Sequence, residues 1–298
     1  MQSTAKAVLG RIFARVSQAS QPWIATFLLS SLAFAQGSHD AHAQELVRQP
    51  VANEQASPFL AKECTYQYHR LVYGKHETLE MIKTSDLIVG KVVRIDNRPI
   101  SKAEEHKEDD ELRRLLHDAS AQQQQRKRQQ RFEHYIRELI QSLPQAFRYT
   151  ETDTEVGAQG ARLIHLNFQP APDFHPASAD LEVMRGLSGV MVIDDQRKRI
   201  VKLDAHLFRD VDFGWGILVH LNKGGSLLLE REPANPPGAD VQNLTLNIDG
   251  RILLFKKLEI QWNFDHFRWF DRAIDLASAV NLLTAPDVAG SISGSQSR

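Results

Sequence analysis

GLSGVMVIDDQRKRIVKLDAHL, residues 186–207, is the stretch on which the fold turns. In an extended chain its Val201, Leu203, Ala205 and Leu207 leave one side, and Lys202, Asp204 and His206 leave the other. Successive side chains of a strand point to opposite faces, so period-two alternation marks a strand with one buried face. The polar run Asp194-Asp195-Gln196-Arg197-Lys198 between the apolar halves reads as a hairpin turn. The pattern returns in TLNIDGRILLFKKLEIQW, residues 245–262. There Leu244, Leu246 and Ile248 lead into Asp249-Gly250, a hairpin-type pair, and Ile252, Leu254, Leu258, Ile260 and Trp262 follow in register. Alternation sustained from residue 186 to 262 specifies a large curved antiparallel sheet with one apolar face. Something must cover that face: a helix, a flap or a ligand.

Working outward, TYQYHRLVY (residues 65–73) alternates Tyr66, Tyr68 and, past a bulge, Tyr73. Residues 77–100 add two strands that end in a turn at Asp96-Asn97-Arg98-Pro99, which makes a three-strand meander. RLIHLNF (residues 162–168) puts Ile164, Leu166 and Phe168 on one face. Between these strand groups lies a helical stretch, 101–143. Ser101 and Glu104 form a capping box at its start, and Pro144 is its expected stop. Phe132, Tyr135, Ile136, Leu139, Ile140 and Leu143 make one apolar stripe, preceded by Leu112, Leu115, Leu116 and Ala119. Residues 122–131 carry no apolar side chain and read as solvated. A short helix over residues 274–283 closes the folded part. The expected class is α+β: a curved antiparallel sheet forming an incomplete barrel, covered by a long helix.

The amino terminus has the grammar of an exported protein. Lys6, Arg11 and Arg15 precede the apolar run WIATFLLSSLAFA, residues 23–35. Small residues then mark two cleavage points, Ala33-Phe34-Ala35 and Ala41-His42-Ala43. The apolar run is shorter than the ~20 residues that span hydrocarbon. The organisation expected is a signal peptide over 1–43, a Pro-containing linker over 44–58, a single half-barrel domain over 59–285 and a disordered tail over 286–298. No second long apolar run implies a membrane-spanning segment in the mature chain. With 36 Lys+Arg against 37 Asp+Glu, the chain lacks the basic field on which nucleic-acid binding depends. The single cysteine, Cys64, closes no intrachain disulfide. Export with no disulfide framework fits a bacterial periplasmic or secreted protein.

Catalytic signatures are absent: there is no G-x-S-x-G, H-E-x-x-H, C-x-x-C or phosphate-binding loop. Asp173 with His175, and Asp204 with His206, each pair two ligand-type side chains, but a metal needs three or four converging. No metal, no cofactor and no catalytic residue is expected. Asp194-Asp195, and Asp210 with Asp212, are explained by turns better than by a glycosidase carboxylate pair. The basic, Gln-rich run QQQQRKRQQR (residues 122–131) has no interleaved aromatics and reads as a polar helix face. DFGWGILVHLNKGGS (residues 212–226) reads as a short helix joining two strands, or else as a flap over the apolar face.

The order of meander, long helix and then the two alternating stretches quoted above resembles the periplasmic lipoprotein-carrier superfamily, LolA/LolB-like, and uncharacterised exported bacterial proteins of that type. The resemblance implies an incomplete barrel with helices in its mouth and an apolar cavity for lipid or lipoprotein acyl chains. The residues expected to line that cavity are Val201, Leu203, Leu207, Leu254, Leu258, Ile260 and Trp262, with Trp215 and Ile217 at its mouth. The function expected is non-enzymatic binding of lipid or acyl chains. The rival expectations are an envelope protein-protein interaction module with a self-filled core and an exported hydrolase.

Overall fold

Period-two alternation becomes one antiparallel sheet. A computed structural model describes residues 36–56, 62–157, 160–213, 219–232, 241–253 and 256–285. The expected disordered tail, most of the signal peptide, and Trp215, Ile217 and Leu254 lie outside them. The strands are β1 (Cys64–Val72), β2 (Lys75–Lys83), β3 (Ile88–Ile95), β4 (Arg98–Pro99), β5 (Phe147–Val156), β6 (Arg162–Pro170), β7 (Leu187–Asp194), β8 (Arg199–Leu207), β9 (Val211–Phe213), β10 (Val219–Leu221), β11 (Ser226–Arg231), β12 (Val241–Ile252) and β13 (Lys256–Trp269). They order as β4-β3-β2-β1-β13-β12-β11-β8-β7-β6-β5, with β10 and β9 branching from the end of β12. The two ends do not meet, so the class is α+β with a curved, open sheet.

The expected meander is present as β1 to β3, and the 194–198 turn joins β7 to β8. Asp194 is fully buried there, and its carboxylate accepts the backbone N–H groups of Gln196 and Arg197, at 3.0 and 2.9 Å, and the Arg197 guanidinium at 2.7 Å.

Helices pack on opposite faces at opposite ends of the sheet. Helix α1 (Gln36–Ala56) lies against β5, β7 and β8. Its Ala43, Val47 and Val51 enter a core with Phe147, Tyr149, Ile164, Leu166, Phe168, Met191 and Ile193. This overturns the linker reading of residues 44–58. The i, i+4, i+8 spacing of those three small apolar residues carries the helix, despite Pro50 within it. At the other end α2 (Lys102–His117) and α4 (Leu276–Thr284) bury Leu112, Ala279, Val280 and Leu283 against Ile82, Leu87 and Val89.

The stretch expected as one helix over 101–143 is two, α2 and α3 (Ala119–Ala146). The capping box of Ser101 and Glu104 is formed. The break is at Asp118, whose carboxylate accepts the N–H of Ala121 at 2.9 Å and so starts a second helix. Helix α3 then runs past Pro144 to Ala146. Its last carbonyls are taken up by tertiary donors: the Tyr149 hydroxyl bonds the Leu143 carbonyl, and the Ala171 N–H bonds that of Ala146. Only the end of α3 reaches the core, through Leu139, Ile140, Leu143 and Ala146.

Nor are residues 122–131 merely solvated. Gln122 donates to the carbonyls of Leu115 and Leu116, Gln125 donates to the Ile88 carbonyl, and Gln129 accepts the Ile88 N–H. Three glutamines on one helical face thus cap the end of α2 and the outer edge of β3.

The turn expected at Asp249-Gly250 is also corrected: both residues sit inside β12, and the β12–β13 turn begins at Leu253. Gly250 is required by proximity. A Cβ there would stand 2.1 Å from the His220 carbonyl oxygen of β10. Of residues 212–226, Asp212 and Phe213 lie in β9 and Val219–Leu221 in β10, which pair; residues 214–218, the centre of the expected helix or flap, lie outside the described residues.

Candidate ligand-binding face

Register aligns the apolar face across the sheet. One cross-strand row runs Leu79, Tyr68, Phe264, Leu244, Leu229, Leu203, Met191, Leu166, on eight consecutive strands from β2 to β6. The adjacent row runs Arg70, Trp262, Leu246, Leu227, Ala205, Gly189, Phe168, Tyr149. At the β5–β8 end these rows are sealed by α1, and Met191, Leu166 and Tyr149 have no solvent exposure. In the centre, Leu227, Leu229, Leu244, Leu246, Ile260, Trp262, Phe264 and Tyr68 are only half-buried. The described helices pack chiefly on β3, β5, β7 and β8, which leaves this central part without one over it.

Aromatic rings concentrate where β1 meets β13. Tyr68 and Phe264 stack with centroids 4.6 Å apart, and Trp262 meets both edge-on at 6.3 and 6.4 Å. Tyr66 stacks on Phe267, which stacks on Trp269. Burial pushes the Tyr68 hydroxyl up to about 12 and raises Tyr66 further, so both stay neutral hydrogen-bonding groups. The Arg70 guanidinium lies 5.8 Å from the centre of the Tyr68 ring and pairs with Glu77 at 2.7 Å. The band is therefore an apolar floor with one neutralised ion pair at its rim.

The residues expected to line a cavity fall into three groups. Ile260 and Trp262 lie on the half-buried central band. Leu203 packs against the core that α1 fills, while Leu207 is buried with Val211 and Leu221, and Leu258 packs on that group. Val201 is half-buried beside a register shift between β7 and β8. Trp215, Ile217 and Leu254 fall outside the described residues. The expectation missed Tyr68, Phe264 and Leu229 of the central band, and Leu227, which packs beside Leu203 against the core that α1 fills. Their own alternation is visible in the sequence, but the pairing of β1 with β13 joins segments nearly two hundred residues apart and leaves no local signal.

The opposite face of the same strands is polar. His69 lies 3.0 Å from the Thr78 hydroxyl and 3.2 Å from Asp265, which also receives His266 at 2.7 Å and the Asn263 amide at 3.2 Å. Burial pushes Asp265 up, but the hydrogen bonds from His69 and His266 outweigh it and hold the carboxyl below the usual range. These bonds tie β1, β2 and β13 together beneath the aromatic band. A concavity of about 500 Å³ at the end of the β12–β13 hairpin is lined by Asn222, Asp249, Gly250, Arg251, Lys257 and Glu259. It is polar and open, with no apolar wall for a chain.

Asp204 and Asp173 do not converge with their neighbouring histidines on a shared centre. His206 instead bonds Ser188 at 3.1 Å, and Asp173 lies 4.0 Å from Arg148. Among the described residues no three His, Cys, Asp or Glu side chains are grouped to hold a metal ion. None of the described helices is long and apolar enough to cross a membrane. Comparison with protein-family models, curated proteins and solved structures finds no match.

Proposed function

We propose that this is an exported, non-enzymatic carrier that takes lipid or acyl chains on the central band of its sheet. One observation carries the reading: two largely apolar rows run across the sheet from β2 to β6 and from β1 to β5, and among the described residues a helix seals them only at the β5–β8 end. A contiguous apolar surface left open is a recognised mark of a binding site. The signal-peptide grammar and the resemblance of the alternating segments to lipoprotein carriers support the reading, because an exported chain of that type would meet membrane lipids. Each methylene buried contributes about 0.8 kcal/mol, so a chain of a dozen carbons supplies about 10 kcal/mol, which exceeds the lower range of association costs, about 4 kcal/mol.

The test is mass spectrometry of organic extracts of the purified protein, paired with tryptophan fluorescence on adding fatty acids. Co-purified lipid and a fluorescence change lost in Trp262→Phe are expected. Extracts free of lipid, together with unchanged fluorescence, overturn the reading and leave an interaction module whose sheet is filled from within.

A further inference from the structure

We propose that the chain is processed between Ala35 and Gln36, and not after Ala43. The inference rests on the export part of the proposed function. Both candidate sites offer alanine at the two positions that signal peptidases read, Ala33 and Ala35 in one, Ala41 and Ala43 in the other. The sequence does not choose between them; the fold does.

Ala43 is 1% exposed and sits in the main core one turn before Val47, which has no exposure at all. Its neighbour Gln44 donates from its side-chain amide to the Phe147 carbonyl at 3.1 Å, where α3 passes into β5. Cleavage after Ala43 would hydrolyse the Ala43–Gln44 amide. Water supplies the hydroxyl to the Ala43 carbonyl and the proton to the Gln44 nitrogen. A charged ammonium would then stand at the rim of the core, where a methyl group had been packed. The N–H of Val47 would lose the i−4 carbonyl of Ala43 and become an orphan donor in an apolar interior.

Hydrolysis of the Ala35–Gln36 amide by the same balance leaves α1 whole from its first described residue. Residues 36–43 then belong to the mature domain, and the buried methyl and the carbonyl acceptor of Ala43 stay in place.

The test expresses the full chain with its own leader in a Gram-negative host and recovers the periplasmic protein. Its amino-terminal tryptic peptide is then identified by tandem mass spectrometry. Both cleavages leave an amino-terminal glutamine, so the length of the peptide ending at Arg48 decides. A peptide starting at Gln36 is expected, together with accumulation of unprocessed precursor in Ala35→Leu. A peptide starting at Gln44, or normal processing of Ala35→Leu, overturns the inference while leaving export intact. An unprocessed wild-type chain overturns the export reading as well.

Discussion

The Glu54 carboxylate, in the last turns of α1, accepts a hydrogen bond from the Arg231 guanidinium at the end of β11, with both side chains 3% exposed. Arg199 of β8 reaches the same carboxylate oxygen at 3.1 Å. A residue from a segment that reads as a polar linker thus neutralises charge between two strands of the sheet. Glu54→Ala would strand the guanidinium of Arg231 in the interior. Breaking a buried pair in this way costs about 3–5 kcal/mol. Chemical denaturation of Glu54→Ala should show a loss of that order. Adding Arg231→Met should recover part of it, because the double variant removes both buried charges.

The glutamine caps on β3 predict a smaller, localised effect. Ile88 meets α3 through both its backbone groups, the carbonyl bonded by Gln125 and the N–H by Gln129 at 3.1 Å. Removing one such partner costs about 0.5–1.5 kcal/mol. Gln129→Ala should speed hydrogen exchange at the Ile88 amide much more than at Met191 in the core. If exchange at Ile88 does not change, the cap has no energetic role.

The strands were legible because alternation is a local signal, and residues 187–207 form the strand–turn–strand that the spacing specifies. Ser101 and Glu104 were legible for the same reason. What misled was punctuation. Pro50 and the polar composition around it hide the Ala43, Val47, Val51 stripe, which becomes decisive only once β5–β8 present a surface to it. Asp249-Gly250 reads as a turn because nothing local reveals that β10 approaches Gly250 from a distant part of the chain. The candidate face was legible strand by strand, through Ile260 and Trp262. Its extent was not, since it depends on β1 pairing with β13.

Gly250 gives a direct check of that close approach. A methyl group at Gly250 would meet the His220 carbonyl at 2.1 Å, so β10 must move away from β12. Forced repacking of this kind costs about 1–3 kcal/mol. Gly250→Ala should lose stability in that range and expose the amides of residues 219–221 to exchange. Gly74→Ala, with nothing within 4 Å of the added carbon but a φ of +76°, should cost less and leave those amides protected.

Cys64, the chain's single cysteine, is fully buried, and burial pushes its thiol up to about 12, with Lys83 opposing weakly. The thiolate is the reactive species, so native protein should resist alkylation at pH 8. Iodoacetamide should label Cys64 only under denaturing conditions. Rapid native labelling would show that the β1 end of the sheet opens readily.

Asp180 sets a pH dependence whose sign can be worked out. Burial, reinforced by the nearby Glu138 carboxylate, raises its pKa from 3.8 to about 6. The folded state therefore holds a proton that the unfolded chain has already released. Its contribution is neutral below the unfolded value and becomes a growing penalty as pH rises towards about 6, after which it is constant. Because the group is partly solvated, the penalty is on the order of 1 kcal/mol, less than the full shift would imply. Asp180→Asn should accordingly stabilise the protein by that amount at pH 7.5 and leave it nearly unchanged at pH 3.5. Denaturation curves for both proteins at the two pH values check this. An equal gain at both would mean that the effect comes from packing against α3 and not from the proton.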